Sequence, residues 1–497
     1  MNIISRKTYT ALAIIVLLSI GIGAFMLIEH DSKGNNETEE QSKPYIFFTA
    51  YRGEKGNTYN PDKTIELWLA STNPDSILQL PQYIEPGKYA FDLLPSEERF
   101  YLGYSQQSGE YLDVESLGSQ YTWGSLQTSP QSDKLLWVEY AMFFYPSVNW
   151  PAGGIYKILL WKNAEREKEI IFELPFHIQF YESQRLWDVI WSPNGQFVSF
   201  IIFGKESGFD HLRAIDINTR EITNLGENVS SYLWSPNGKY IAFNTYRSTN
   251  QNFIIVNTSG NQIFSTGEIF SRIYSYSWSP NEKKIIFTAL DEDGKSNAYL
   301  VNVKRKKIKE MFELPNTNYH LSNVSWSPDG RYVAFKTSNE EDNNGQLYIA
   351  DAKKLDSPQL VENISVFGVT PHQWTWGKME WSQDGKVLAI NGIIEDKAGI
   401  HFIKPEDGEL VGSYYPDTFT REWVFTENNS TIFALLRSED YACPKEEIDR
   451  FVYYNWQEDS TQQFKFNGIL ETYLKECELT ISNFIYGVDS SLEFGYD

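Results

Sequence analysis

Along most of the chain, short apolar runs alternate with polar, turn-forming clusters at a regular interval. A stretch of the form W-S-P-N-G followed by apolar residues recurs at 191–200 (WSPNGQFVSF), 234–243 (WSPNGKYIAF), 278–287 (WSPNEKKIIF), 326–335 (WSPDGRYVAF) and 381–390 (WSQDGKVLAI). The intervals between successive Trp residues are 43, 44, 48 and 55. Weaker copies start at Leu94 (LPSEERFYLG), Thr128 (TSPQSDKLLW) and Phe425 (FTENNSTIFA), which makes eight registers. A repeat of this period points to one supersecondary unit per copy.

Each unit reads as four strands. The residues before the Trp form the first, and S-P-[ND]-G is a turn. Pro presets φ at its second position, Asn or Asp suits the third, and Gly accepts the left-handed fourth. The second strand (KYIAFNT, RYVAFKT) is apolar on nearly every residue, so both of its faces must be covered. A third follows a polar loop, at 212–217, 253–256, 299–303, 347–352 and 401–403. A more polar fourth, such as 221–225 (EITNL), closes the unit. Four antiparallel strands in tandem predict an all-β fold, a β-propeller. Eight blades are the first reading, with seven or six as alternatives. An extra half-unit at 45–70 would pair with the C-terminal segment when the ring closes.

The beginning of the chain breaks this pattern. Residues 8–28 (TYTALAIIVLLSIGIGAFMLI) carry no charge and are long enough to cross a hydrocarbon core of about 30 Å. Arg6 and Lys7 precede the run and Glu29, Asp31, Glu37, Glu39 and Glu40 follow it, so the positive-inside bias puts the N-terminus in the cytoplasm. A cleaved signal peptide is the competing reading, but the apolar region is too long and no A-x-A site is present. The expected organisation is a cytoplasmic tail (1–7), a single-pass signal-anchor helix (8–28), a polar linker (29–44), a propeller (45–475) and a closing segment (476–497), with the propeller extracytoplasmic at the cell membrane.

Composition narrows the function. The formal charge of −23, from 43 Lys+Arg against 66 Asp+Glu, leaves no basic excess for phosphate neutralisation and argues against a nucleic-acid partner. The two cysteines, Cys443 and Cys477, cannot frame a fold. In an oxidising compartment a disulfide between them would pin the terminal segment, worth on the order of 3 kcal/mol; free thiols are the alternative.

The WSPDG-x-x-h-A-F register, followed by a Tyr-h-h-D strand, resembles the repeat of TolB-type propellers and is similar to the propeller domains of prolyl oligopeptidases and dipeptidyl peptidases. The resemblance runs over roughly 45–470 and implies fold, because the motif makes a turn and a packing contact and carries no chemistry. The peptidases add an α/β-hydrolase domain. No G-x-S-x-G occurs here, so the resemblance stops short of peptidase activity.

Other chemical signals are weak. Gly294-Lys295-Ser296 lacks the upstream Gly of a P-loop, since Ala289 stands there. The six histidines include no H-E-x-x-H, and Asp291-Glu292-Asp293-Gly294 lacks the later ligands of a calcium loop, so no metal site and no cofactor are expected.

What remains is the mouth of the ring, where the loops leading into each innermost strand are rich in aromatics, Arg and His. Candidate ligand-binding residues are Arg185, Trp187, Arg272, Tyr274, His320, His372, Trp374, Trp376 and Arg421, with Trp423 and Tyr319 nearby. Arg185, Arg272 and His320 each stand six residues before a repeat Trp and should occupy equivalent places. Phe143, Phe144 and Trp150 belong to an insertion at 143–154 between a second and a third strand, on the same face. Aromatic platforms with planar cations suit recognition; wedging between blades is the plainer role for such rings. The expected function is a non-catalytic binding module for a protein or a cell-envelope glycan. The alternative is a polysaccharide hydrolase or lyase using Asp188, Lys378 and Glu380 on inner strands.

Overall fold

The computed structural model describes residues 45–52, 64–71, 101–104, 111–113, 120–130, 134–144, 151–162, 167–177, 186–203, 210–245, 250–314, 319–339, 344–367, 378–416, 419–426, 428–437, 450–463 and 479–488. Among them every regular element is a β-strand, and no helix is long and apolar enough to cross a membrane. The segment 8–28, the linker 29–44, Cys443 and Cys477 lie outside the described residues.

Antiparallel sheets follow one another in chain order. Gln120–Thr128, Lys134–Phe144, Pro151–Lys162 and Glu167–His177 make one four-stranded meander, and the same plan returns over 186–227, 229–270, 272–313, 319–360 and 419–463. In the 365–414 sheet the strand Leu388–Ile394 is flanked on one side by two short strands, Ser365–Phe367 and Met379–Trp381. Its other side carries Lys397–Ile403 and then Leu410–Tyr414. Tyr45–Arg52 lies between Thr64–Ser71 and Leu479–Val488, so strands from opposite ends of the chain share a sheet. Tyr101–Tyr104 pairs with Tyr111–Asp113. Tandem four-stranded antiparallel sheets are consistent with the expected β-propeller.

The repeated turn forms for local reasons. Gly195, Gly238, Gly330 and Gly385 all have φ between 67° and 72°, the region an L side chain disfavours. The amide of Gly195 donates to Ser192 O at 2.8 Å, and that of Gly330 to Ser327 O at 2.9 Å, closing the four-residue turn. The Ser of the motif has a second role that its sequence pattern did not disclose. Ser327, fully buried, donates through Oγ to Asp329 Oδ1 (2.6 Å) and accepts from the Tyr332 amide (2.9 Å). Ser192 and Ser382 do the same in their own turns. Burial works against the charge of Asp329, but Ser327, the Arg331 amide and the Arg331 guanidinium hold its carboxyl below the usual carboxylate range.

Consecutive turns also touch. A Cβ on Gly238 would stand 2.7 Å from Asn194 Cγ, and one on Gly385 would stand 2.8 Å from Asp329 Cγ. Glycine is therefore needed there for close approach as well as for φ.

The core lies between sheets. In the second strands, successive residues face opposite neighbours: Phe243 joins the cluster shared with the 186–227 sheet, while Ala242 joins the one shared with 272–313. Likewise Val333 and Phe335 pack towards 272–313 and Ala334 towards 365–414. This is the physical reason that these strands are apolar without alternation. Phe253 stacks on Phe287 across one such seam, with ring centroids 4.5 Å apart. The repeat Trp residues seal the same seams. Trp234 stacks on Phe197 of the preceding sheet and donates Nε1–H to Ser199 Oγ at 2.7 Å, and Trp278 stacks on Tyr240.

Candidate functional site

The first strand is interrupted at a similar place in most of the described repeats, whereas Met379–Trp381 pairs without a shift. Pairing with the second strand skips Ser230, Tyr274, Ser322 and Arg421, each four residues before the Trp or Phe of its motif. In Leu186–Trp191 the interruption falls at Asp188 and Val189, and Asp188 has φ 48°. A bulge re-aims the side chains around it. Two residues expected at the mouth, Tyr274 and Arg421, are themselves bulge residues.

Three of the expected residues come together. Arg272 is exposed, with Cζ 5.0 Å from the centroid of the Tyr274 ring. Tyr274 in turn stacks on His320 of the next sheet, 4.5 Å between centroids and 22° between planes. Arg272 and His320 hold equivalent positions, opposite Leu290 and Ser338 at the start of their hairpins. The group offers a guanidinium, a phenol and an imidazole across two neighbouring first strands.

The other candidates are placed singly. Trp187 stands opposite Ile201. Phe143 and Phe144 end the strand Lys134–Phe144, opposite Gly153 and Pro151, so the connection between second and third strands is shorter than the 143–154 insertion expected from the sequence. Arg185, Trp150, His372, Trp374 and Trp376 lie outside the described residues. Trp423 is not a mouth residue. It is 1% exposed in the core between the 365–414 and 419–463 sheets, and its Nε1–H donates to Asn391 Oδ1 at 2.8 Å.

Lys378 and Glu380 form an ion pair at 2.8 Å. Lys378 also donates to the Trp423 carbonyl and stands 4.7 Å over its ring, while Glu380 Oε1 accepts from the Phe425 amide at 3.3 Å. Both side chains thus join the first strands of two neighbouring sheets. Asp188 has a different setting. As a residue it is exposed, yet its carboxyl is desolvated enough to lie above the usual carboxylate range. Its backbone carbonyl accepts the Tyr232 hydroxyl. Burial, together with the charge of Asp188, raises the phenols of Tyr232 and Tyr276. Ser231 Oγ lies 2.8 Å from Tyr276 OH and donates to Asn244 Oδ1 at 2.8 Å.

Sequence reading missed a set of polar bridges between first strands. Gln127 Oε1 accepts the Trp191 amide at 3.4 Å, Ser275 Oγ the Val324 amide at 3.3 Å, and Ser277 Oγ the Trp326 amide at 3.0 Å. The signal available was polar residues in the two or three places before each Trp, which pattern reading treats as ordinary alternation. The Asp291–Gly294 loop is a polar turn: Asp291 Oδ1 accepts the amides of Asp293 (3.0 Å) and Lys295 (2.8 Å). Among the described residues no group of three or more His, Cys, Asp or Glu could hold a metal ion.

Residues 212–409 match the family described as the TolB beta propeller domain. No curated relative matches the chain. Among solved structures the chain is similar to dipeptidyl peptidase 4 of Porphyromonas gingivalis (13% identity, TM-score 0.46, 69% of this chain and 53% of that one). It is similar to the β-propeller domain of the Trilobed protease from Pyrococcus furiosus (12%, TM-score 0.42, 69% and 95%). It is also similar to TolB from Acinetobacter baumannii (13%, TM-score 0.32, 68% and 80%). The chain spans about half the length of the dipeptidyl peptidase it matches, at 53%. Likenesses this distant carry no argument by themselves. The recurring turn, the tandem sheets and the family match together identify residues 212–409 as a TolB-type β-propeller domain.

Proposed function

We propose that the protein is a membrane-anchored, extracytoplasmic β-propeller that binds a protein or a cell-envelope glycan and has no catalysis of its own. The observation that carries this reading is the Arg272–Tyr274–His320 stack, in which planar groups from two sheets present one continuous polar-aromatic surface. Such surfaces suit both peptide and sugar recognition. The anchor rests on the uncharged run 8–28 and its flanking charges. Eight blades are part of this proposal; seven described sheets of four or more strands and the sheet that joins both ends of the chain support the number, with the two-stranded 101–113 sheet left outside it.

The test is capture from native membranes with the detergent-solubilised full chain, beside a Tyr274→Ala/His320→Ala variant of matched thermal stability. A protein or glycan held by the first and lost by the second supports the reading. Equal capture by both removes this face as the site. Protease added outside intact cells should digest the region after residue 44; full protection would reject the proposed location.

Asp188 favours a second reading, a polysaccharide-active hydrolase or lyase. A partly desolvated carboxyl beside two phenols is the kind of group that moves protons. Glycan turnover that disappears in a folded Asp188→Asn variant would select it.

A further inference from the structure

We infer that the seam between the 319–360 and 365–414 sheets is a docking groove for an extended segment of a partner protein, one in which apolar residues alternate with Lys or Arg. The groove lies between two fourth strands, Gln359–Leu360 and Leu410–Tyr414, each the edge of its sheet among the described residues. It encloses a cavity of about 460 Å³, within the range that buries a bound group. Val361, Ile364 and Ile403 lie beneath it, all buried, while its accessible lining is more polar than apolar. Leu360 and Leu410 stand at its lips and remain 45% and 44% exposed. Exposed apolar residues also occur on other fourth strands, at Ile222, Ile269 and Ile308; at this seam two of them, Leu360 and Leu410, line one cavity.

Charge selects the occupant. Glu362 and Asp407 line the groove and are exposed. The neighbouring cation Lys404 is already committed, with Nζ 2.7 Å from Glu409 Oε2. An acidic rim on a chain of net charge −23 attracts a basic segment and repels a second copy of itself. It also disfavours the chain's own linker 29–44, which has five acidic residues against two lysines. Edge strands offer unpaired backbone groups to an incoming extended segment, and side chains alternating at period two would place apolar groups against Leu360 and Leu410 and cations beside Glu362 and Asp407. The groove is formed by fourth strands, whereas Arg272, Tyr274 and His320 sit on first strands, so the two surfaces fail or hold independently.

The test is fluorescence anisotropy on the full chain with a labelled Lys-Leu-Lys-Ile-Lys-Leu-Lys peptide, and with Lys-Ser-Lys-Ser-Lys-Ser-Lys as the control of equal charge. Saturable binding of the first peptide is expected, with about tenfold or greater loss for the serine peptide. A similar loss is expected in Leu360→Asp/Leu410→Asp, and Glu362→Lys/Asp407→Lys should weaken binding and flatten its salt dependence. Leu360, Leu410 and Glu362 are exposed, so unchanged thermal unfolding is expected of the leucine variant and of Glu362→Lys alone; Asp407 Oδ1 accepts the Glu409 amide at 3.0 Å, so the double charge reversal is read beside Glu362→Lys. Equal binding of both peptides, or binding that survives the leucine substitutions, would reduce the effect to general attraction by an acidic surface and overturn the proposal. No binding of the first peptide at about 1 mM would overturn it as well. So would self-association, seen by analytical ultracentrifugation, that the leucine variant abolishes, because a second copy would then be the occupant.

Discussion

Glu282 Oε1 accepts a hydrogen bond from the backbone amide of Asn237 at 2.7 Å, tying the turn of one sheet to the turn of the sheet before it. Glu282 stands where the repeat places Gly, and it keeps the glycine-like backbone, with φ 57°. Asn429 repeats the arrangement two sheets after the next: φ is 59°, and its Oδ1 accepts the Gln383 amide at 2.7 Å. Where the motif keeps Gly, the preceding turn packs against the bare Cα. Where it departs from Gly, a longer side chain reaches back and caps that turn.

Glu282→Ala should therefore destabilise the protein by about 1–2 kcal/mol, since it loses the bond while keeping an L residue at positive φ. Glu282→Gly loses the same bond but relieves the backbone, so its thermal midpoint should fall between those of Glu282→Ala and the wild type. A Gly variant less stable than the Ala variant would contradict this account.

Ser327→Ala should cost about 1–3 kcal/mol, because the Tyr332 amide loses its acceptor inside the fold. Ser327→Thr should be much milder. Thr426 already fills the equivalent place in its own turn, donating to Asn428 Oδ1 at 2.8 Å. Denaturant midpoints of the two variants give the comparison.

Gly345 and Gly294 should respond very differently to alanine. A Cβ on Gly345 would lie 1.9 Å from the Thr337 carbonyl oxygen, a backbone atom that cannot step aside. Gly345→Ala is expected to lose several kcal/mol, on the scale of severe overpacking. Gly294 has open space around it and only its φ of 78° to object, so Gly294→Ala should cost about 1 kcal/mol. Soluble yield and thermal midpoint separate the two.

His401 should make the fold acid-sensitive. It is fully buried, with Nε2–H donating to Gly392 O at 3.1 Å and Nδ1 accepting from Ser413 Oγ at 2.9 Å in the neutral ring. Burial pushes its pKa below the usual imidazole value, although the Gly392 carbonyl works in the other direction. The unfolded chain therefore takes up the proton first. Stability from this group is level above about pH 6.5 and falls as the pH drops towards the folded value. Thermal midpoints at about pH 7.5 and 5 should differ more for the wild type than for His401→Gln. Asp329 and Asp384, whose carboxyls are held below the usual range, add a separate loss only below about pH 4.

Lys336 predicts a change on the alkaline side. It is fully buried, and desolvation pushes its pKa down to about 8. The folded protein gives up this proton before the unfolded chain does, so stability should rise between about pH 8 and 10. Lys336→Met should remove that rise, measured as the slope of the denaturant midpoint against pH.

Much of the local structure was legible because its causes are local. In W-S-P-D-G at 326–330, Pro and Gly each restrict the backbone, and the turn follows from five residues. The candidate site was legible only where its residues share a repeat position. Arg272 and His320 could be paired by counting back from Trp278 and Trp326, and both contact the Tyr274 ring. Trp423 could not be assigned this way. It lies in the same first-strand stretch as Arg421, but the bulge at Arg421 breaks the alternation between them, and Trp423 packs in the core against Asn391.

The sequence by itself determined the tandem hairpins, the extent of each unit and the requirement that second strands be covered on both faces. These follow from φ preferences and apolar periodicity within one unit. Only the tertiary structure decided that Tyr274 meets His320, that Ser277 caps the Trp326 amide, and that Leu360 and Leu410 share one groove. Those contacts depend on how one sheet is set against the next and on bulges that re-aim the side chains beyond them. A one-residue shift in either would change every partner while leaving the pattern of the sequence untouched.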